Sequence, residues 1–243
     1  SEEVPTQELM VRVSAYLELV TKAVNDESGT IDKFMGDGVM AFWGAPSLLD
    51  DHAWRACVAA LRIVRGMDAL NARWLAQDLK PLRLRIGIHS DAVLVGNIGS
   101  YARMGYTVIG DGVNIASRLE GINKEYGTRV CISHTVYREA GERLCVRPID
   151  DVAVKGRRAT IPAYELLGAY GIDPELEPDA ATIRLCRLTR LAREAAVAGD
   201  NPLALKRYSD VLAEFPQDTV ARELIARLSS GSSPRQIVTQ AAK

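Results

Sequence analysis

Gly29-Thr30-Ile31-Asp32-Lys33-Phe34-Met35-Gly36-Asp37-Gly38-Val39-Met40-Ala41-Phe42-Trp43-Gly44 is the stretch on which the reading of this chain turns. Apolar residues fall in two short runs on either side of Met35-Gly36-Asp37-Gly38. That pattern predicts strand, tight turn, strand: a β-hairpin centred on an Asp-Gly dipeptide. Gly36 and Gly38 lack a Cβ, so the turn lets the backbone approach a ligand closely. A carboxylate held there, Asp37, can coordinate Mg²⁺ bridging a triphosphate, since Mg²⁺ takes oxygen ligands and few of them from protein. The plainer alternative is a solvated aspartate in an ordinary hairpin.

Upstream, Leu9, Val13, Tyr16, Leu17, Val20 and Val24 recur at helical spacing, which predicts an amphipathic helix from about Thr6 to Val24. Asn25-Asp26-Glu27-Ser28-Gly29 is a polar break. Downstream, Asp50 to about Trp74 is a second periodic helix. Leu82 to His89, Val93 to Gly99 and Gly105 to Ile109 read as strands, the last ending at Gly110-Asp111-Gly112. A helix follows from Val113 to Lys124, a strand from Arg129 to Ser133 and a short helix from Thr135 to Gly141. Val146–Val154 and Ala163–Leu167 close the sequence of strands. Hairpins and crossovers are interleaved, so the expected class is α+β, with one central, mostly antiparallel sheet flanked by helices.

The composition changes after Leu167. Gly168 to Asp179 is rich in proline and acidic residues and reads as a linker, placed at 169–179. Residues 180–229 read as helices, Ala180–Gly199, Pro202–Phe215 and Thr219–Leu228, whose small and aromatic residues are spaced as in a tetratricopeptide repeat. Fewer repeats are present than a free solenoid needs, so these helices are expected to cap the preceding domain or to take a protein partner. Residues 230–243 are expected to form a flexible tail.

Bulk properties exclude several classes. The 243 residues are 47% hydrophobic and 25% charged, a globular profile. Formal net charge is −1, so no global basic field recruits nucleic acid. Cys57, Cys131, Cys145 and Cys186 are scattered without metal-ligand spacing, which fits buried thiols in a reducing cytoplasm. No run of apolar residues is long enough to span a bilayer. The opening Ser1-Glu2-Glu3 lacks an initiating methionine and a leader pattern, which suggests a fragment of a longer protein, with an upstream sensor or a membrane tether elsewhere in it.

Three motifs occur in order. The first is the hairpin above. The second is Ile86-Gly87-Ile88-His89 followed by Val95-Gly96-Asn97-Ile98-Gly99. The third is Gly110-Asp111-x-Val113-Asn114-x-Ala116-x-Arg118-Leu119-Glu120, and a later Val154-Lys155-Gly156 turn completes the set. Together, over roughly Ser1 to Leu167 (domain 1–168), they resemble the class III adenylate and guanylate cyclase catalytic domain. The resemblance implies the palm-like fold of that family. It also implies conversion of ATP to 3′,5′-cyclic AMP and pyrophosphate by intramolecular phosphoryl transfer, and a head-to-tail homodimer with sites at its interface. Asp37 of one chain would then face Lys33, Thr107, Asn114, Arg118 and Lys155 of the other. The stretch Gly99 to Tyr106 would be a dimer arm.

Residue chemistry fits these roles. Asn114 and Arg118 lie four apart on one helical face. An amide and a guanidinium pointing the same way can hold a ribose and a phosphate, and arginine's fork suits charge building on phosphorus. By resemblance, Lys33 and Thr107 read the base. Adenine offers an acceptor at N1 to lysine and a donor, its 6-amino group, to a threonine hydroxyl, whereas guanine offers the reverse. Lys155 is a point charge for the outer phosphates, with Arg157 and Arg158 beside it. His89 is read as structural.

Two departures stand out. Relatives carry a first metal aspartate on an opening strand, and this chain has no such segment, so the two Mg²⁺ or Mn²⁺ ions of the complete domain should not both bind and activity should be impaired. Asp91 stands where relatives have glycine. The rival reading is therefore a cyclase-homology module that binds nucleotide or pairs with a partner without turning over.

Overall fold

The computed structural model describes residues 6–100, 103–153 and 160–231. They divide into two compact units, one of Ser1–Leu84 with Ala92–Asp111, the other of Arg85–Asp91 with Gly112–Lys243.

The first unit holds helices α1 (Thr6–Asp26) and α2 (His52–Leu75), hairpin β1 (Thr30–Met35) and β2 (Gly38–Phe42), and hairpin β4 (Leu94–Ser100) and β5 (Arg103–Ile109). One face of α2 is apolar turn after turn, and Trp54, Cys57, Val58, Leu61 and Val64 are buried on it as the 3.6-residue period requires. It packs on α1, whose Val20, Ala23 and Val24 are buried. Gly66 sits under the Leu19 side chain, where an added Cβ would lie 2.4 Å from its Cδ1. Arg12 is buried between the helices, its guanidinium 4.6 Å over the Trp74 ring, and it donates to the Lys80 carbonyl. The β1–β2 hairpin turns on Gly36-Asp37, one residue earlier than the expected Asp-Gly centre. Met35 pairs with Gly38, and Gly36 has φ +65°, a conformation glycine adopts freely. Gly29 is fixed by contact: a Cβ there would strike the Trp43 indole at 2.5 Å, and that indole donates to the Glu27 carbonyl at 3.0 Å.

The second unit is built on a four-stranded sheet, order β3-β6-β8-β7, from β3 (Ile86–Ile88), β6 (Val130–Ser133), β7 (Leu144–Ala153) and β8 (Thr160–Ala169). β3 runs parallel to β6, and the other pairs are antiparallel. Flanked on both sides, β6 is buried at every position, which its unbroken Val130-Cys131-Ile132 run anticipates. Helix α3 (Asp111–Tyr126), α4 (His134–Ala140) and α5 (Ala180–Val197), α6 (Asn201–Glu214) and α7 (Thr219–Ser229) complete the unit. Asp179, Asp200 and Asp218 cap α5, α6 and α7 through hydrogen bonds from the backbone N–H groups of Thr182, Leu203 and Ala221.

The α+β class and the mostly antiparallel pairing hold. The described strands are shared among three sheets, however, rather than one. The expected strand Leu82–His89 also shrinks to Ile86–Ile88. The Leu82 N–H and carbonyl are both taken by the Asn71 side chain, at 2.8 and 2.9 Å, and are lost to any ladder.

The three C-terminal helices are part of the second unit's interior. Ile115, Leu119, Ile122 and Tyr126 of α3, Ile149 of β7, Ala192 of α5, Tyr208 and Val211 of α6, and Val220 and Leu224 of α7 form one buried cluster. The stretch 169–179 folds back on the sheet: Leu176 is buried, and its carbonyl accepts from Ala169 at 2.9 Å. Of the tail 230–243, residues from 232 onward lie outside the described residues. Among the described residues no helix is long and apolar enough to cross a membrane.

Candidate functional site

Lys33 and Thr107 come together in the first unit. Lys33 Nζ donates to Thr107 Oγ1 at 3.1 Å, from β1 to β5. A third residue joins them: Thr107 Oγ1 donates to Asp32 Oδ2 at 2.9 Å, and Lys33 Nζ lies 3.5 Å from the same oxygen. The Asp32 side chain is 2% exposed and that of Lys33 49%, so the carboxylate lies beneath and the ammonium at the surface. The sequence does not single out Asp32 beside Lys33, because neighbours on a regular strand point to opposite faces. The ladder is irregular there. Ile31 pairs with Ala41 and Lys33 with Met40, leaving Asp32 as the extra residue of a β-bulge.

Asp37 is exposed on its turn. Its negative charge adds to burial in raising the phenol of Tyr16 on α1 above its ordinary value. Among the described residues no three histidine, cysteine or carboxylate side chains converge as a metal site. A single exposed carboxylate suits one Mg²⁺ ion that draws its remaining ligands from phosphate and water.

Asn114 and Arg118 share a face of α3 in the second unit. Asn114 is exposed, and Arg118 is half-buried, with its Nη1 buried and without a hydrogen-bond partner among the described residues. The neighbouring Glu120 is engaged elsewhere, by Arg85 at 2.6 Å. A buried guanidinium N–H without a partner is costly and is poised for an anion. The backbone of α3 is set closely on β3. A Cβ on Gly87 would fall 2.2 Å from the Ala116 carbonyl oxygen and 2.2 Å from the Glu120 nitrogen. Asn123 ties the same helix to β3 by donating to the Ile86 carbonyl at 2.9 Å.

Lys155, with Val154, Gly156, Arg157 and Arg158, lies outside the described residues, as do Tyr101 and Ala102 of the expected arm. Elsewhere on the arm Met104 is two-thirds exposed, and Tyr106 packs on Phe42 with ring centroids 6.2 Å apart. His89 Nδ1 meets Ser133 Oγ at 2.8 Å, and Asp91 stands 3.7 Å from its Nε2.

The family model for the adenylate and guanylate cyclase catalytic domain matches residues 13–168, which contain every motif quoted above. Adenylate cyclase 1 of Rhizobium meliloti (strain 1021) is 39% identical over 162 residues, 67% of this chain and 24% of that protein. The crystal structure of the guanylyl cyclase Cya2 superimposes with TM-score 0.65 at 31% identity, covering 72% of this chain and 88% of that one. The adenylyl cyclase CyaB from P. aeruginosa gives 0.64 at 34%, with the same coverage. The chain spans 24% and 34% of the length of the first two curated relatives it matches, and 7% of a third.

Proposed function

The chain belongs to the adenylate and guanylate cyclase catalytic domain family, and from that premise we propose that it acts as an adenylate cyclase, converting ATP to 3′,5′-cyclic AMP and pyrophosphate. The observation that carries the choice of base is the 3.1 Å contact between Lys33 Nζ and Thr107 Oγ1. Lysine can donate to adenine N1, and the threonine hydroxyl can accept from the 6-amino group. Guanine would set its N1–H against the ammonium, leaving buried polar groups unmatched.

In the reaction the ribose 3′-hydroxyl attacks the α-phosphorus in line and pyrophosphate leaves, so positioning and charge stabilisation make up most of the catalysis. Arg118 brings a guanidinium whose buried Nη1 has no other partner among the described residues, and it is assigned to the charge on the α-phosphoryl oxygens. Asn114, one helical turn earlier on the same exposed face, is assigned to the ribose. Lys155 is assigned to the leaving phosphates. Asp37 would hold Mg²⁺ or Mn²⁺, and the ion, when bound, supplies charge neutralisation on the triphosphate.

The working form is proposed to be a head-to-tail homodimer. Exposed Met35, Leu94, Ile98, Met104 and Ile109 support this, since so many apolar side chains on two hairpins call for cover. The catalytic domain is assigned to 1–168, with helices 180–229 as an extension that completes its interior.

The test measures ATP binding together with cyclic AMP and cyclic GMP formation in Mg²⁺ and in Mn²⁺. Cyclic AMP from ATP, abolished by Arg118→Ala, supports the proposal. ATP binding with no product from either nucleotide, by this chain and by one extended N-terminally to include the opening strand, would replace it with a regulatory nucleotide-binding module.

A further inference from the structure

The Thr107 hydroxyl has one proton and two lone pairs to dispose of. Its proton goes to Asp32 Oδ2 at 2.9 Å, and one lone pair receives the Lys33 ammonium at 3.1 Å. One lone pair is left, and it can only accept. We infer that Asp32 is a specificity-determining positioning residue: by taking the Thr107 proton it fixes the hydroxyl as an acceptor toward the base, matched to the amino group of adenine and mismatched to the carbonyl of guanine. This deepens the adenylate cyclase reading and rests on it.

Two features support the assignment. The first is the bulge. In a regular strand Asp32 and Lys33 would diverge, and the extra residue between the Ile31–Ala41 and Lys33–Met40 pairs lets both reach one hydroxyl. The second is burial. A carboxylate with a 2% exposed side chain is expensive to hold unless it is paired and hydrogen-bonded. Its two partners, Lys33 at 3.5 Å and Thr107 at 2.9 Å, are both assigned to the base. A hairpin needs no charge there, whereas a site that must choose between an amino group and a carbonyl gains from an oriented hydroxyl. Asp32 touches no substrate in this scheme and acts through Thr107.

Asp32→Asn tests this without changing the shape of the side chain. The amide carries no charge and can donate as well as accept, so the Thr107 proton is no longer committed. The readout is the ratio of kcat/KM for ATP to that for GTP, backed by displacement of a fluorescent ATP analogue by ATP and by GTP, which reads the same ratio without turnover. Asp32→Asn should lower both ratios about tenfold, the net worth of one hydrogen bond. On a Thr107→Val background the same substitution should leave them unchanged, because no hydroxyl remains to orient. Unchanged ratios in Asp32→Asn, or an equal fall on both backgrounds, would overturn the inference and leave the adenylate cyclase reading standing. A wild-type chain that neither binds nor converts ATP would overturn both.

Discussion

The hydroxyl of Tyr126, at the end of α3, and the guanidinium of Arg227, on α7, stand 2.9 Å apart over the carboxylate of Asp150. Tyr126 donates to that carboxylate at 2.7 Å, and Arg227 donates to both of its oxygens. The Thr219 hydroxyl adds a hydrogen bond to the Tyr126 carbonyl. Helix α3 carries Asn114 and Arg118 on its first turns, and its far end is fastened by the C-terminal helices. Arg227→Met keeps the length of the side chain and strips Asp150 of its cation. Breaking a buried pair from one side should cost about 3 kcal/mol in urea unfolding. A loss under about 0.5 kcal/mol, the range of a surface substitution, would show that α7 does not hold α3.

Gly87→Ala attacks the other support of α3. The new methyl has backbone atoms at 2.2 Å and no flexible side chain to displace, so the strand and helix must separate. Overpacking of this kind should cost roughly 2 to 3 kcal/mol. Cyclic AMP formation should fall with it, although no substrate-facing group changes. Thermal unfolding and turnover, measured on the same sample, check both effects.

Arg118 should show the opposite division. Its Nη1 has no hydrogen-bond partner to lose among the described residues, so Arg118→Lys should leave stability within about 0.5 kcal/mol of the parent. Loss of the planar fork should cut kcat roughly a hundredfold, the scale of one removed oxyanion donor. A large drop in stability would instead make Arg118 a structural residue.

Arg147 on β7 binds Glu165 of β8 at 2.6 Å and Asp218, the cap of α7, at 2.5 Å, all three buried. Burial raises the Glu165 carboxyl above its ordinary 4.5 despite the pull of Arg147. Between 4.5 and the raised value the unfolded chain has released this proton and the folded chain keeps it. Stability from this group is therefore fullest below pH 4.5 and erodes as pH rises through the folded value. Glu165→Gln removes that slope. Wild type should lose ground to the variant as pH rises from about 4, seen as converging or crossing urea midpoints. Parallel midpoint curves would refute the shift.

Much of this protein was legible in one dimension. The hairpin, the α2 helix and the buried β6 strand follow from apolar spacing, which local geometry alone converts into faces. Lys33 and Thr107, 74 positions apart, could be paired from their chemistry and from the motif resemblance, and they do meet. Asp32 was hidden because a bulge changes which face a residue takes, and a bulge is settled by the partner strand.

Most of the helices and strands, the family and the chemical inventory of the site can be read from the residues alone, because helical and strand periods, turn glycines and donor–acceptor types are properties of residues and their near neighbours. Tertiary structure alone decided that Asp32 turns toward Thr107, that Gly87 admits α3, and that the C-terminal helices share the interior of α3 and the sheet. Each of these depends on contacts between residues far apart along the chain. Packing density and the pairing of buried polar groups leave few arrangements open, and no local pattern announces which one is taken.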